Sequence, residues 1–393
     1  MYYLIISCEK WAAKILDFFE SYKLSIILFL TSMNEKNNSW FHAPLLRWYA
    51  ENKRDLPWRN TTDPYRIWLS EIILQQTRVD QGMSYFLKIL EKCPTVHDLA
   101  SLDDDELMNL WQGLGYYSRA RNLKTTAIYI SQERKGEFPE NYQELIKLKG
   151  VGPYTASAIA SFCYNEVKPA VDGNVYRVLS RVFNVATAIN SSQGQKEFTA
   201  LAEQLISQDQ PGDFNQAMME LGATVCTPKK PLCIQCPFHE KCDAFNSGKI
   251  AERPVKLKKT KIRKRYFHYA IIYENKTILI KRRSEGDIWQ GLYEFPLIEK
   301  DTEIYSQASI SAEFLKVLGS SSLEYLGSIR LKKHILSHQH IYCIFHEYSS
   351  RKGPVLEGEY KRIALSEIDD FPLPRAITKF IEEIDGLPFR KNS

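Results

Sequence analysis

The sequence predicts a multidomain chain, an all-α domain followed by an α+β domain, and three observations carry that prediction. Between Trp40 and Val225 apolar residues recur at helical spacing, and nothing there alternates like a sheet. Four cysteines then crowd into seventeen residues, Cys226 to Cys242, ahead of a basic segment. From Tyr266 onward short stretches alternate with a period of two, interrupted by turn residues and two helical runs. With 393 residues, 44% hydrophobic and 25% charged, the chain has an ordinary globular composition and the length for two or three domains.

Taken in order, the first helix runs from Trp40 to Glu51, with Phe41, Leu45, Trp48 and Tyr49 on one side. It ends in the extended, aromatic loop Asp55-Leu-Pro-Trp-Arg59. A long helical region spans Pro64 to Leu90, with a break expected near Gly82. Asp103 to Trp111 forms a further helix with acids in its first turn, Gly113-Leu-Gly-Tyr-Tyr-Ser118 stops it, and Arg119 to Gln132 resumes helix. In the second domain, Tyr266 to Tyr273 and Thr277 to Arg282 flank Glu274-Asn-Lys276 as a hairpin. Strands follow at Leu292 to Phe295, Leu323 to Ile329 and His340 to Tyr348, with helices near Ala312 to Leu318 and Arg375 to Ile384.

The stretch that organises the chain is Leu148-Lys-Gly-Val-Gly-Pro-Tyr-Thr-Ala156, between the helical runs Tyr142 to Lys149 and Tyr154 to Phe162. Gly150 and Gly152 permit a tight turn, with glycine where φ is positive. The turn leaves the backbone N–H groups of Gly150, Val151 and Gly152 at a helix start, where an anion is favoured. This is the sequence form of a helix-hairpin-helix, a device for gripping a nucleic-acid phosphate. Alone, Gly-x-Gly between helices is most often just a turn; Asp172, just ahead of a helix at Val175 to Val182, strengthens the functional reading.

The net charge of +5 is concentrated: Lys249 to Arg265 holds nine Lys or Arg against one Glu, so the remainder is net negative. Overall charge is therefore weak support for DNA binding. The spacing Cys226-x6-Cys233-x2-Cys236-x5-Cys242 points to metal in a reducing compartment. Structural zinc usually draws on paired knuckles well separated in sequence, whereas one compact loop with unequal gaps fits a [4Fe–4S] cluster better. Near the N-terminus, Leu24 to Leu30 is apolar but too short to span a bilayer, which takes about 20 residues. An over-extended start, with Met33 as initiator, is the expectation; a short membrane-surface helix is the alternative.

The hairpin, the downstream Asp172 and the cysteine loop together resemble the endonuclease III superfamily of DNA glycosylases. Leu56-Pro-Trp-Arg59, Ser70-Glu-Ile-Ile-Leu-Gln-Gln-Thr77, Gly113-Leu-Gly-Tyr-Tyr117 and Phe214-Asn-Gln-Ala-Met-Met-Glu-Leu-Gly222 narrow the resemblance to adenine DNA glycosylases of the MutY type. It implies an extension at 1–33, a glycosylase domain at 34–246, a basic linker at 247–265 and a Nudix-like domain at 266–393. It also implies a [4Fe–4S] cluster on the four cysteines, and duplex DNA bearing adenine opposite 8-oxoguanine or guanine as partner. The expected protein is a monomer, cytoplasmic and nucleoid-associated, with no membrane attachment.

Adenine leaves poorly, so cleaving its bond to deoxyribose calls for a proton on the base and an anion beside the developing sugar cation, the demands that glycoside hydrolases meet with two carboxylates. Glu71, among Trp68, Leu69, Ile72, Ile73 and Leu74, fits the acid if it is pocketed, because desolvation favours its neutral form. A solvated helical Glu is the plain alternative. Asp172 is expected to stay ionised beside the sugar; an acid before a helix also serves as a cap. Tyr154 stands where the superfamily's lyases carry a Schiff-base lysine, which implies an enzyme that removes the base without cutting the strand. By resemblance, Trp58, Arg59, Leu74, Val79 and Glu220 line the adenine pocket, while Gln76 and Tyr116 wedge into the duplex where the base has left. As aromatics at helical spacing, Trp58 and Tyr116 could equally be core.

In the second domain Gly291-Leu-Tyr-Glu-Phe-Pro296 resembles the Nudix fold. Glu299, Glu303 and Glu313 are not one helical turn apart, so metal-dependent hydrolysis is not expected. In the family this domain inspects the base opposite adenine, and Leu336-Ser-His338 stands at the reading tip, with Ser337 and His338 as donors to 8-oxoguanine. Two rivals remain open: another glycosylase of the superfamily, and a non-catalytic mismatch-binding iron–sulfur protein.

Overall fold

The computed structural model describes residues 39–257, 262–319, 323–336, 338–350 and 359–383, so the expectations for 1–33 and for Ser337 lie outside the described residues. Fourteen α-helices and eight strands follow in order among them. The helices are α1 (Ser39–Asn52), α2 (Pro64–Leu74), α3 (Val79–Lys92), α4 (Val96–Ser101), α5 (Asp104–Leu110), α6 (Ser118–Gln132), α7 (Tyr142–Leu145), α8 (Pro153–Tyr164), α9 (Gly173–Val182), α10 (Ser192–Leu205), α11 (Pro211–Thr224) and α12 (Asp243–Asn246). Strands β1 (Arg263–Tyr273), β2 (Thr277–Arg282), β3 (Tyr293–Glu294) and β4 (Leu297–Lys300) precede α13 (Gln307–Val317). Then come β5 (Glu324–Arg330), β6 (His334–Ile335), β7 (Gln339–Ser349), β8 (Tyr360–Ala364) and α14 (Arg375–Glu383).

The chain packs as two compact units, and it passes between them more than once. Of the described residues, one holds 39–62, 140–142 and 153–257; the other holds 63–139, 143–152 and those from 262 to 383. In the first unit, α1, α9, α10 and α11 bury a common core around Phe41, Val178, Leu179, Phe198 and Leu221. Phe41 stacks on Phe238 at 4.4 Å, tying α1 to the cysteine loop. A fully buried phenylalanine contributes roughly 1.5–3 kcal/mol, so this pair is a substantial anchor for that loop. Local devices set the helix ends: Asp172 accepts the Asn174 and Val175 amides at the start of α9, and Pro211 opens α11.

In the second unit, Asp63 caps α2 through the Tyr65 amide, and Thr95 and Asp98 form a capping box on α4. Helix α2 is buried from Ile67 to Ile73, with Trp68 against Phe138 at 5.4 Å. The expected break at Gly82 falls elsewhere. The chain leaves helix at 75–78, and Gly82 lies inside α3, where an added Cβ would stand 2.7 Å from Leu74 Cδ2. Gly82 is there for close helix packing, not for a turn.

The α+β part contains two sheets, β4-β1-β7-β5 with β6 also on β7, and β3-β2-β8. The expected β1–β2 hairpin is thereby corrected. Asn275 and Lys276 do make a tight left-handed turn, at φ 46° and 63°, but only Glu274 and Thr277 bridge across it. The two strands then diverge, β1 pairing in parallel with β7 from Arg263↔Gln339 onward and β2 pairing with β8. Nor does burial alternate along β1: Arg265 to Ile272 are buried without a break, so the strand is covered on both faces. Within the core, His268 Nδ1 and His346 Nε2 lie 3.0 Å apart, and burial lowers both imidazoles to about 4, leaving a neutral donor–acceptor pair.

Candidate active site and cysteine loop

Glu71 sits in the second unit, 7% exposed, on the buried run of α2. Capping by Asp63 at one end of the helix and packing of Trp68 at its middle hold it there. The solvated reading of Glu71 is excluded. At the far end of α2 the half-buried Leu74 gives way to the loop 75–78, and the half-buried Val79 starts α3.

Gln76 and Tyr116 are both exposed, and each adopts a left-handed backbone, at φ 57° and 50°. Side chains other than glycine adopt that region infrequently, and such residues cluster at functional sites. A residue that sequence reasoning missed connects their two loops. Arg119, 7% exposed, donates from Nη1 to the carbonyls of Ile72, Ile73 and Gln75 at 3.0, 2.7 and 2.6 Å. Its Nη2 donates to Thr77 Oγ1 and the carbonyls of Leu114 and Gly115 at 3.3, 3.5 and 3.1 Å. Burial lowers its pKa to about 10, so the guanidinium stays charged at neutral pH. Nothing in the sequence separates Arg119 from an ordinary solvent-facing helical arginine.

Only one glycine of the hairpin turn needs its freedom. Gly150 has φ 80°, and a Cβ there would stand 2.6 Å from Asn122 Cβ. Gly152 has no positive φ, and a Cβ on it would meet nothing within 4 Å. The positive φ expected of the turn is found at Gly150. The Val151 amide is used inside the turn, donating to the Leu148 carbonyl at 3.1 Å.

Asp172 belongs to the first unit. It accepts the Asn174 and Val175 amides at 2.8 Å each and the Asn174 side-chain amide at 2.7 Å. Desolvation pushes its carboxyl above the usual range; those hydrogen bonds and Arg177 oppose the shift by favouring the ionised form. Tyr154, at the start of α8, directs its hydroxyl to Met219 Sδ at 3.4 Å. Trp58 is buried. The structure brings Arg59 and Glu220 together: Glu220, fully buried on α11, accepts from Arg59 Nη2 at 2.7 Å and from Arg54 Nε and Nη2 at 2.7 and 2.8 Å. Burial alone would raise Glu220; the hydrogen bonds from Arg54 and Arg59 outweigh it and hold the carboxyl down at about 2. Arg54 is the second partner that the sequence reading missed.

Cys226, Cys233, Cys236 and Cys242, all free thiols, line one cavity together with Val178, Arg181 and Leu221. Arg181 is 2% exposed; its Nη1 meets Cys226 Sγ at 3.4 Å, and its carbonyl accepts from Cys242 Sγ at 3.4 Å. Arg177 Nε holds the Cys226 carbonyl at 2.6 Å. These two arginines, one turn apart on α9, fix the loop to the helix that Asp172 caps. Among the described residues no three His, Cys, Asp or Glu groups converge as ligands of a single metal ion. Four thiols around a cavity, beside a buried guanidinium, are a donor set suited to a thiolate-held cluster of net negative charge.

His338 is exposed, and its carbonyl accepts from the Arg263 amide at 3.1 Å. Glu299, Glu303 and Glu313 each pair with a different cation: Arg265 at 2.5 Å, Arg330 at 2.9 Å and Lys300 at 2.6 Å. No helix among the described residues is long and apolar enough to cross a membrane.

Comparison with known proteins agrees with this anatomy. Residues 69–206 match the HhH-GPD superfamily of base excision DNA repair proteins, and residues 268–383 match a NUDIX domain. An adenine DNA glycosylase of Arabidopsis thaliana is 39% identical over 67% of this chain, which spans 48% of that relative's length. One from Buchnera aphidicola subsp. Baizongia pistaciae is 32% identical over 88% of this chain and 96% of its own. Among solved structures, a thermostable thymine-DNA glycosylase superposes with a TM-score of 0.50 and 29% identity, covering 55% of this chain and 99% of its own. At 32% identity over nearly the whole length of the Buchnera aphidicola subsp. Baizongia pistaciae relative, with an HhH-GPD match followed by a NUDIX match, the chain belongs to the adenine DNA glycosylase family.

Proposed function

We propose that the protein removes adenine from duplex DNA where it is mispaired with 8-oxoguanine or guanine, by hydrolysis of the N-glycosidic bond and without cutting the strand. The observation that carries the reading is the burial of Glu71 in an apolar helix, since a carboxyl shielded from water is suited to stay protonated and hand its proton to the base. In this reading Asp172 supplies the negative charge beside the developing sugar cation, oriented by the Asn174 side chain and two backbone amides. Tyr154 offers no amine for a Schiff base, which supports a base-removing enzyme with no lyase step.

By the family resemblance, Trp58, Arg59 and Glu220 of the first unit and Leu74 and Val79 of the second are each proposed to contact adenine, with Glu220 acting chiefly by fixing the Arg59 guanidinium. Gln76 and Tyr116 enter the duplex, and the hairpin at Gly150, Val151 and Gly152 grips phosphate through its glycine amides, the Val151 amide being spent on the Leu148 carbonyl. The open space around Gly152 suits that last role, because a side chain there would stand in the way of a backbone-to-phosphate approach. Cys226, Cys233, Cys236 and Cys242 would hold a [4Fe–4S] cluster, whose part is to fix the loop carrying Lys229, Lys230 and Lys241. His338 with Ser337 reads the base opposite adenine.

The test is incubation of the full chain with oligonucleotide duplexes holding adenine opposite 8-oxoguanine, guanine or thymine. Free adenine should appear from the first two, with strand breakage only after alkali. Duplex binding without release of adenine would instead support the non-catalytic mismatch-binding reading.

A further inference from the structure

We propose that Arg119 is a positioning residue that sets Gln76 and Tyr116 as one preformed wedge before DNA arrives. The inference rests on the proposed entry of those two side chains into the duplex. Both are exposed, and both sit on left-handed backbone that a non-glycine side chain adopts only when its surroundings impose it. Their loops are far apart in sequence, yet one guanidinium bonds to the residue beside each: the Gln75 carbonyl at 2.6 Å and the Gly115 carbonyl at 3.1 Å. The same group takes the Ile72 and Ile73 carbonyls, left without helical partners where α2 ends. It also lies 5.6 Å from the Tyr116 ring centroid and 5.3 Å from that of Trp111. Trp111 Nε1 in turn donates to the Gly115 carbonyl at 3.1 Å.

The geometry asks for arginine in particular. A planar fork with donors on both terminal nitrogens reaches two loops at once, whereas a lysine ammonium is a single point with three donors. Presetting the wedge means that ordering both loops does not oppose base extrusion when the duplex binds. A helix-capping role alone would also make Arg119 buried and hydrogen-bonded, so the test has to separate positioning from folding.

Arg119→Lys keeps the charge and part of the capping. In the full chain it should remain folded by circular dichroism and should bind mispaired duplex. The fluorescence rise of 2-aminopurine at the target position, which reports unstacking, should be at least tenfold slower than wild type when a guanine lies opposite. Opposite an abasic analogue, where the base is already poorly held, the rate should stay within threefold. Equal slowing on both duplexes, or none on either, would overturn the proposal. The double variant Gln76→Ala with Tyr116→Ala separates the two levels. Normal unstacking in it sinks the wedge reading itself; slow unstacking in it beside a normal Arg119→Lys sinks only the positioning role. Should Arg119→Lys not fold, hydrogen exchange on DNA-free wild type decides. Protected amides at 75–77 and 114–117 support a preset wedge, and free exchange there overturns it.

Discussion

The α2–α3 loop with its Arg119 clamp and the tip before β7 are both proposed to meet DNA, and they are built in opposite ways. The first is over-determined: two helix carbonyls, a hydroxyl and three loop carbonyls all converge on one buried guanidinium. At the tip, His338 is exposed, and among the described residues the hydrogen bonds found there are backbone ones, from the Arg263 amide to the His338 carbonyl and from the Leu336 amide to the Gln339 carbonyl. The difference teaches where rigidity is needed. Chemistry on a leaving group tolerates little misplacement, whereas a reader of the opposite base can complete its geometry when the base is present.

The largest expected effect falls on the rigid side. Glu71→Gln keeps the shape of the side chain and removes its proton, so single-turnover adenine release should fall by ~10²–10⁴-fold while duplex binding persists. Release within tenfold of wild type would move the acid role to another residue, and proportionate loss of binding would make Glu71 structural. Asp172→Asn should also abolish turnover. Because an asparagine oxygen can still accept the Asn174 and Val175 amides, its thermal midpoint should change little, and a large drop would show that capping is the residue's main work.

Next in size is the Glu220 ion pair. Its carboxyl is held at about 2, below the ordinary 4.5, so its stabilisation is present above about pH 4.5 and is lost as the pH falls from there toward 2. The depression corresponds to about 3 kcal/mol. Denaturation of wild type across that window should show the loss. Glu220→Gln should flatten the slope and lower stability at neutral pH, because it leaves Arg59 without its buried counter-charge. An unchanged slope would mean that the pair forms equally in the unfolded chain.

Cys236→Ser should remove the broad visible absorbance near 400 nm that the family resemblance implies, and should weaken DNA binding more than the chemical step. Iron-free wild-type protein carrying stoichiometric zinc, made anaerobically, would end the cluster assignment. The smallest effect belongs to the proposed reading tip. Ser337→Ala with His338→Ala should reduce the preference for 8-oxoguanine over guanine by about 0.5–1.5 kcal/mol per lost hydrogen bond, with release from the guanine mispair nearly intact. Full preference in that variant would place the reading elsewhere.

Local pattern made much of this legible in advance. Helical spacing placed α1, α6, α8 and α9 within a few residues, because each buries one face and carries its own stop signals. The expectation of a β1–β2 hairpin failed for a physical reason: tight-turn residues specify a reversal, but strand partners depend on which sheets the two runs enter. The break placed at Gly82 failed similarly, since glycine serves close packing as well as turns.

Residue type at short spacing was enough for the helical part followed by an α+β part, for a glutamate within the α2 run, for an aspartate just ahead of α9 and for the loop of four cysteines. Only the tertiary structure decided that Glu71 is withdrawn from solvent, that Glu220 is spoken for by Arg54 and Arg59, and that Arg119 joins the loops of Gln76 and Tyr116. Each of those depends on groups distant in the chain meeting at hydrogen-bond range, and helical or strand periodicity carries no information about which distant groups will meet.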